Sequence, residues 1–346
     1  MTAATDPVPP PGRPVRTRGR RALLVAGVVL GVLLVLTALL YLNRRAATRQ
    51  VLIGWLEQQG IEADMQVDRL ELDGLVARVR IGDAADPDVT IERVEVDYAI
   101  GAPWSKGGIG LTPTRIRLIR PVVRASVRNG KLTLGSLDPL IERFTGQPPR
   151  PDSRGPLVLV ESARVRLDTD YGPTSILGDA RIDDGKLMRL VARMPATAFR
   201  SGDIEARGLR ATVDLTTTGD RVALRLSAAA DHAGLPGFSG ETVAATVVGD
   251  LPYPDLKVRR GDGRARIDLQ MSASRLAVRE TSVRDADLRL NFDGQTTGWI
   301  DAFRLDGNSA VDLRAARMEG PAASATAAHL RLTETRTTVT RDPRSF

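Results

Sequence analysis

The sequence has no cysteine among its 346 residues and is poor in several other residue types. Without cysteine, the chain can form no disulfide framework and offers no thiolate to a metal or a substrate. It has only 2 histidines, and only 4% of its residues are aromatic. Because phenylalanine, tyrosine and tryptophan are scarce, the apolar interior has to be built from leucine, valine, isoleucine and alanine.

The common catalytic and nucleotide-binding motifs are missing as well. The sequence contains no Walker A loop, no G-x-G-x-x-G and no G-x-S-x-G, since Gly237-Phe238-Ser239-Gly240 has the wrong spacing. The glycine-rich segment from Lys106 to Gly110 precedes a strand pattern, so it offers no helix N-terminus to a phosphate.

The remaining candidates for chemistry have simpler interpretations. The acidic pairs Asp86-x-Asp88 and Asp183-Asp184 lie beside proline or glycine, which is typical of turns and not of a general acid–base pair. His232 and His329 have no neighbouring ligands at metal-binding spacing, and polar surface is the simpler assignment. We therefore expect no cofactor, no metal and no enzymatic activity.

The excess of positive over negative charge is confined to one end of the chain. The sequence carries 49 Lys and Arg against 42 Asp and Glu, a net charge of +7. Residues 1–50 hold 8 arginines and one acid, Asp6, so they account for the whole excess. A nucleic-acid-binding surface would need that excess on the folded body, and we expect no nucleic-acid partner.

The longest uncharged run, Ala22–Leu42, predicts a transmembrane anchor. Its 21 residues are long enough as a helix to cross the hydrocarbon core of a bilayer. A cleaved signal peptide would have a shorter apolar region and a small-x-small exit, which Thr37–Asn43 lacks. Five arginines precede the run and three follow it, which predicts a cytoplasmic N-terminus and a body on the opposite side of the membrane. The larger cluster includes Arg16, Arg18, Arg20 and Arg21.

The flanks of the anchor suggest further structure. Residues 1–21 are predicted to be a disordered cytoplasmic tail, since they begin with a proline-rich stretch. Apolar residues at helical spacing predict a short juxtamembrane helix over 48–59, which includes Trp55. Gly27 and Gly31 are spaced as in helix pairs that dimerise, although glycine is common in membrane helices without pairing.

Beyond residue 62 the hydrophobic period changes to that of β-strands. Within the N-terminal subdomain, assigned to residues 43–146, a phase switch predicts a β-bulge near Arg93, and Asn129-Gly130 predicts a tight hairpin. Ser136 is predicted to cap a short α-helix from Leu137 to Phe144. Residues 147–156, rich in proline, are assigned as a linker.

The region 157–346 alternates apolar and charged residues with glycine-based turns. This pattern is typical of an antiparallel sheet with one solvated face, whose alternating charges form cross-strand pairs. The apolar face could be covered by closure into a barrel or a sandwich, or it could remain an open trough that holds an apolar ligand.

The segment LTPTRIRLIRPVVRASVRNGKLTLGSLDPLIERF, Leu111 to Phe144, resembles the N-terminal portion of the AsmA-like envelope proteins, most closely the YdbH/TamB branch. The shared order is a strand ending in Pro121, a second strand, a tight turn and a short amphipathic helix. The resemblance covers about residues 45–145. It implies a mostly β fold: an N-terminal transmembrane helix, two short helices and a long, twisted antiparallel sheet curved into an open groove.

The resemblance also implies a function. The chain would be a single-pass protein of the bacterial inner membrane, with its bulk in the periplasm, that passively conducts phospholipid toward an outer-membrane lipoprotein or β-barrel partner. A periplasmic scaffold for outer-membrane assembly is the alternative. Family members are usually longer, so a shortened C-terminus is expected. The candidate groove-lining residues are Leu75, Val79, Ile116, Leu118, Leu224, Leu226, Leu288 and Leu290.

Overall fold

A computed structural model describes residues 63–71, 73–83, 85–100, 111–128, 131–138, 155–254, 260–299, 302–321 and 324–341. The predicted anchor, its glycine pair and flanking arginines, and the juxtamembrane helix lie outside these residues. So does most of the assigned linker, and the domain boundary there stays a prediction. In the part of the chain that is described, no helical segment is both long enough and apolar enough to cross a bilayer.

The described residues form fifteen strands and one helical turn. Their period-two patterns account for the strands, since alternate residues of a strand point to opposite faces. The elements are Ala63–Leu70 (β1), Gly74–Ile81 (β2), Val89–Ile100 (β3), Leu111–Arg128 (β4), Lys131–Thr133 (β5), the 3-10 helix Gly135–Leu137, Leu157–Thr169 (β6), Gly172–Asp183 (β7), Lys186–Ser201 (β8), Ile204–Thr218 (β9), Arg221–Leu235 (β10), Phe238–Pro252 (β11), Gly263–Val278 (β12), Thr281–Trp299 (β13), Ala302–Glu319 (β14) and Ser324–Thr340 (β15).

All strands belong to one sheet in which the spatial order follows the chain order. Only β5 lies off the path, paired with the end of β4. Strands β1 and β15 are the two edges and do not pair with each other, so the described sheet is open. The path contains 14 strands, and at ~4.8 Å between neighbours it is about 62 Å long.

One pair of neighbours corrects the prediction of an antiparallel sheet. Strand β6 runs parallel to β4, with Arg115 opposite Leu157 and Val127 opposite Thr169. A parallel neighbour requires the chain to return along the full length of β4 between Arg128 and Leu157. Alternating polarity along a strand is the same for either direction, so the sequence pattern could not distinguish them.

Two local predictions in the N-terminal strands are confirmed. Arg78 of β2 lies opposite two residues of β3, Glu92 and Arg93, because the register shifts between Ala77 and Val79. This extra residue is the predicted β-bulge. Arg128 pairs directly with Lys131, so β4 and β5 form a hairpin on either side of Asn129-Gly130.

Of the α-helix predicted from Leu137 to Phe144, only the first two residues are described: Leu137 ends a 3-10 turn over Gly135–Leu137, and Asp138 has α-helical dihedral angles. Residues 139–144 lie outside the described residues, so the helix stays a prediction. Ser136, the predicted cap, lies within the 3-10 turn. Its backbone N–H and its hydroxyl both donate to one carboxylate oxygen of Asp88, at 2.9 and 2.7 Å. These two hydrogen bonds hold the pKa of Asp88 below its ordinary value.

Asp88 therefore joins the turn to the loop before β3, which agrees with its assignment as a turn residue. A Cβ on Gly135 would lie 2.8 Å from the Asp88 carboxyl carbon, and Gly135 has a φ of +60°. Only glycine combines that conformation with room for the carboxylate.

Candidate functional site

The face of the sheet that carries Leu224 is lined by apolar residues from one end of the path to the other. Residues directly opposite each other in neighbouring strands share a face, so the register can be followed across the sheet. We call this the inner face and the opposite one the outer face. The row through Leu224 consists of Val67, Ala77, Val94, Leu118, Val160, Ala180, Leu190, Leu215, Leu224, Gly249, Ile267 and Phe292.

This central row is apolar from β1 to β13 and becomes polar only at Ser309 and Thr335, in β14 and β15. A second row, through Leu226, remains apolar to the edge strand. It contains Ala163, Gly178, Ala192, Val213, Leu226, Val247, Leu269, Leu290, Val311 and Leu332. The rows run across the strands, along the direction in which the strands are stacked.

All eight candidate lining residues lie on the inner face. Leu118 and Leu224 belong to the central row, while Leu226 and Leu290 belong to the second row. Leu75 and Ile116 both pair with Val96, and Ile116 is two residues from Leu118. Val79 and Leu288 are two residues from members of these rows, which places them on the same face. Whether these residues line a ligand path stays a prediction.

No described element packs over the inner face. Strands make their substantial contacts only with their neighbours in the sheet. Leu224, Leu226, Leu288 and Leu290 are accordingly half-buried, and Leu330 and Leu332 near the edge are 51% and 46% exposed. An apolar surface that is this extended and has no layer over it is typical of a binding surface.

The inner face is strongly curved where β8 begins and β11 ends. The Leu187 N–H donates to the Tyr253 hydroxyl at 3.0 Å, although β8 and β11 are separated by two strands. In a flat sheet those strands would be about 14 Å apart, which is beyond the reach of a tyrosine side chain. Thr217, from β9, donates its hydroxyl to the Leu187 carbonyl at 2.6 Å. The sheet is therefore rolled toward its apolar side here.

Tyr253 forms a strap across this rolled end. Its own N–H donates to the Asp220 carbonyl at 2.7 Å, and the Lys186 ammonium lies 4.6 Å from the centre of its ring. Lys186 also donates to the Gly219 carbonyl in the turn between β9 and β10. Such a cation–π contact stabilises an exposed pair by about 0.5–1 kcal/mol.

Beside the strap is an apolar pocket of about 550 Å³. Residues from β8 to β14 line it, which again requires a curved sheet. Arg341 is the one charged residue among the described residues of its wall. The pocket wall includes Leu187, Leu224, Leu251, Tyr253, Ile267 and Leu305.

The sequence interpretation missed Tyr253. The available signal was an aromatic residue between Pro252 and Pro254, at the end of a strand, in a chain with only 4 tyrosines. Proline ends a strand because it cannot donate to the ladder. The partner of the hydroxyl could not have been found, because Leu187 is 66 residues away.

Replacing Tyr253 by phenylalanine is expected to loosen the rolled end without unfolding the sheet. The variant keeps the ring beside Lys186 and loses one hydrogen bond, which contributes about 0.5–1.5 kcal/mol. Spin labels at Arg189 of β8 and Val248 of β11, which are exposed positions on the two strands that the strap joins, should give a broader distance distribution in Tyr253→Phe. Tyr171→Phe is the control, because that exposed tyrosine makes no side-chain bond across the inner face in the described residues. Identical distributions would show that the strap does not hold the curvature.

The outer face carries the charged residues, many of them in pairs. Arg117 of β4 donates to Glu161 of β6 at 2.7 and 2.8 Å and to Glu95 of β3 at 3.3 Å, so it bridges the parallel junction. Hydrogen bonds from Arg264 and Arg266 lower the pKa of Asp293 to about 2. Exposed pairs of this kind contribute little to stability, because solvent screens their charges.

The histidines belong to these outer-face clusters. His232 Nδ1 lies 2.8 Å from Glu241, and His329 Nε2 lies 3.2 Å from Asp312, which also pairs with Arg314. Among the described residues, no group of three or more His, Cys, Asp or Glu side chains is arranged to hold a metal ion. The pairs that His232 and His329 form with carboxylates agree with the interpretation of both histidines as polar surface residues.

One comparison with known proteins identifies a family. A family model described as YdbH-like, intermembrane phospholipid transport protein YdbH, matches residues 32–342, far beyond the segment 45–145 that carries the resemblance in the sequence. No curated protein and no solved structure matches the chain. The family match spans the whole open sheet and its apolar inner face, and the chain belongs to the YdbH-like family of intermembrane phospholipid transport proteins.

Proposed function

We propose that this protein binds phospholipid by its acyl chains on the inner face and passively conducts it along the rows of the sheet. The observation that carries the proposal is the central row, which is apolar across β1 to β13 and has no described element over it. Acyl chains need a continuous hydrocarbon wall and no specific polar contact, since burial of apolar surface is non-directional. Headgroups would remain in water at the open side.

The proposal includes the anchor. Residues 22–42 would hold the N-terminal end in the inner membrane, with the arginine-rich tail in the cytoplasm and the sheet in the periplasm. Lipid would then join the apolar rows close to the membrane. Family membership supports a role between two membranes, and the uncharged length of the run supports the anchor.

A scaffold for outer-membrane assembly is the alternative function. A closed, filled core would favour it, because a scaffold needs a rigid body and no open apolar path. The described sheet has two unpaired edges and a half-buried inner face. These features favour conduction of lipid.

Photocrosslinking of the full-length protein in its membrane tests the proposal. A photoreactive amino acid at Leu226 faces the inner side, whereas one at the adjacent Arg225 faces the outer side. We expect phospholipid adducts, detected by their radiolabelled phosphorus, at Leu226 and at most a tenth of that yield at Arg225. Equal yields at the two positions, or none at Leu226, would contradict the proposal.

A further inference from the structure

A second concave site lies on the outer face, over the strands β1 to β6. It has a volume of about 540 Å³. Arg78 and Arg80 point outward into it, because they flank Val79 of the inner face, and Val79 and Ile91 also contribute to its lining. Four arginines from three strands converge on it, and we call it the arginine pocket: Arg78, Arg80, Arg120 and Arg164.

The arginine pocket has an excess of positive charge. Its acidic residues are Asp64 and Glu92, so four arginines against two acids give a formal charge of +2. Arg78 is held by Asp68 at 2.8 Å and Arg120 by Glu92 at 3.2 Å. Arg80 and Arg164 have no ion-pair partner among the described residues, and both are exposed.

The backbone around the arginine pocket is strained. Arg120 and Ser162 have φ values of +50° and +53°, in the left-handed region that residues other than glycine seldom adopt. Each costs about 1–2 kcal/mol, and both line this pocket. They lie at the same level of neighbouring strands, between the pairs Ile119–Glu161 and Val122–Arg164. Thr242, Asp285 and Ala327 of β11, β13 and β15 have the same positive φ, so this backbone conformation recurs across the sheet and is not specific to the pocket.

Neighbouring contacts hold this geometry in place. Arg117 connects β3, β4 and β6 by hydrogen bonds to Glu95 and Glu161, close to the two residues with positive φ. The Ser162 N–H donates to the Asp179 carboxylate of β7 at 2.7 Å, which fixes the strained residue from the far side. The concavity is thus preorganised, and Arg80 and Arg164, which have no ion-pair partner in the described part of the chain, are available to bind.

We infer that the arginine pocket binds a phosphate group. Guanidinium groups match phosphate oxygens with paired hydrogen bonds, and two unpartnered guanidinium groups at one concavity supply both the charge and the fork geometry. The phosphate could be that of a soluble phosphate compound or that of a lipid headgroup, which share this chemistry. Arg80 and Arg164 point to the face opposite the acyl-chain rows, so replacing these two side chains leaves the proposed lipid path unchanged.

Titration of the full-length protein in detergent tests the inference, with phosphorus NMR as the readout. The probes are inorganic phosphate and, below its micellar concentration, dihexanoyl phosphatidic acid. We expect binding that weakens as salt is raised, and at least a tenfold loss of affinity in Arg80→Gln/Arg164→Gln. Binding of phosphate alone would assign a soluble ligand, and binding of the lipid alone would assign a headgroup; either supports the site.

The matched control is Arg225→Gln, because Arg225 is also an exposed outer-face arginine with no described ion-pair partner but lies outside the pocket. An equal loss in that variant would overturn the inference, as would the absence of binding by both probes. Arg80→Lys/Arg164→Lys should recover part of the affinity, since lysine restores the positive charge but not the paired N–H donors of a guanidinium group.

Discussion

Replacing Leu290 by aspartate should interrupt phospholipid conduction by at least about tenfold without unfolding the sheet. Leu290 lies in the second row between Leu269 and Val311, both apolar. A carboxylate there has no partner once an acyl chain covers it, and an uncompensated buried charge costs several kcal/mol. Each 1.4 kcal/mol corresponds to a factor of ten in an equilibrium constant, so a cost of several kcal/mol predicts a loss of conduction of at least tenfold.

The measurement uses photocrosslinking on both sides of the substitution. Leu226 of β10 and Leu332 of β15 belong to the same row as Leu290 of β13. Phospholipid adducts should persist on the side from which lipid arrives and fall on the other side, so the direction of travel is read from the result. Unchanged yields at both positions would contradict conduction along this row.

The control is the neighbouring residue Asn291, which is exposed on the outer face. Asn291→Asp adds the same charge with almost no change in volume, and we expect it to leave both adduct yields intact. Circular dichroism distinguishes a blocked path from a damaged core. If Leu290→Asp unfolds the sheet, Leu290 is an ordinary core residue and not part of a lining.

The second large effect is a loss of stability, expected when a side chain is added where two backbones approach each other closely. Gly294 of β13 is directly opposite Gly307 of β14 on the inner face. A Cβ at Gly294 would lie 2.6 Å from the Gly307 Cα and 2.7 Å from the Phe292 ring, and would collide with the Asp306 carbonyl. Gly294→Ala should therefore force the strands apart and lower the free energy of unfolding by about 1–3 kcal/mol.

Gly249 provides the control, because the same substitution there is expected not to lower the free energy of unfolding. It also lies in the inner face, but the nearest atom to its added Cβ is in Leu251, 3.7 Å away. Gly249→Ala should leave stability unchanged or raise it by about 0.4–1 kcal/mol, because alanine has fewer conformations in the unfolded chain. Urea unfolding of both variants gives the comparison. A loss of stability at Gly249 as large as that at Gly294 would contradict the explanation by close approach.

The strands and their faces were predictable because they depend on neighbouring residues. Leu224 and Leu226, or Leu288 and Leu290, are two residues apart, and that spacing alone places each pair on one face of a strand. The bulge at Arg93 and the hairpin around Asn129-Gly130 were equally local. The 3-10 turn at Gly135–Leu137 was not predicted, because the Ser136 hydroxyl is held by Asp88, which lies 48 residues earlier in the chain.

The sequence by itself determined that this protein is a succession of amphipathic strands that follows an apolar run flanked by arginines. Alternation of polarity and local charge are properties of short stretches, so both can be read without knowing the fold. Only the tertiary structure decided that β6 pairs in parallel with β4, that Tyr253 reaches Leu187, and that four arginines share one concavity. These features depend on which strands become neighbours and how tightly the sheet rolls. A period of two is the same for every pairing order, so it carries no information about either.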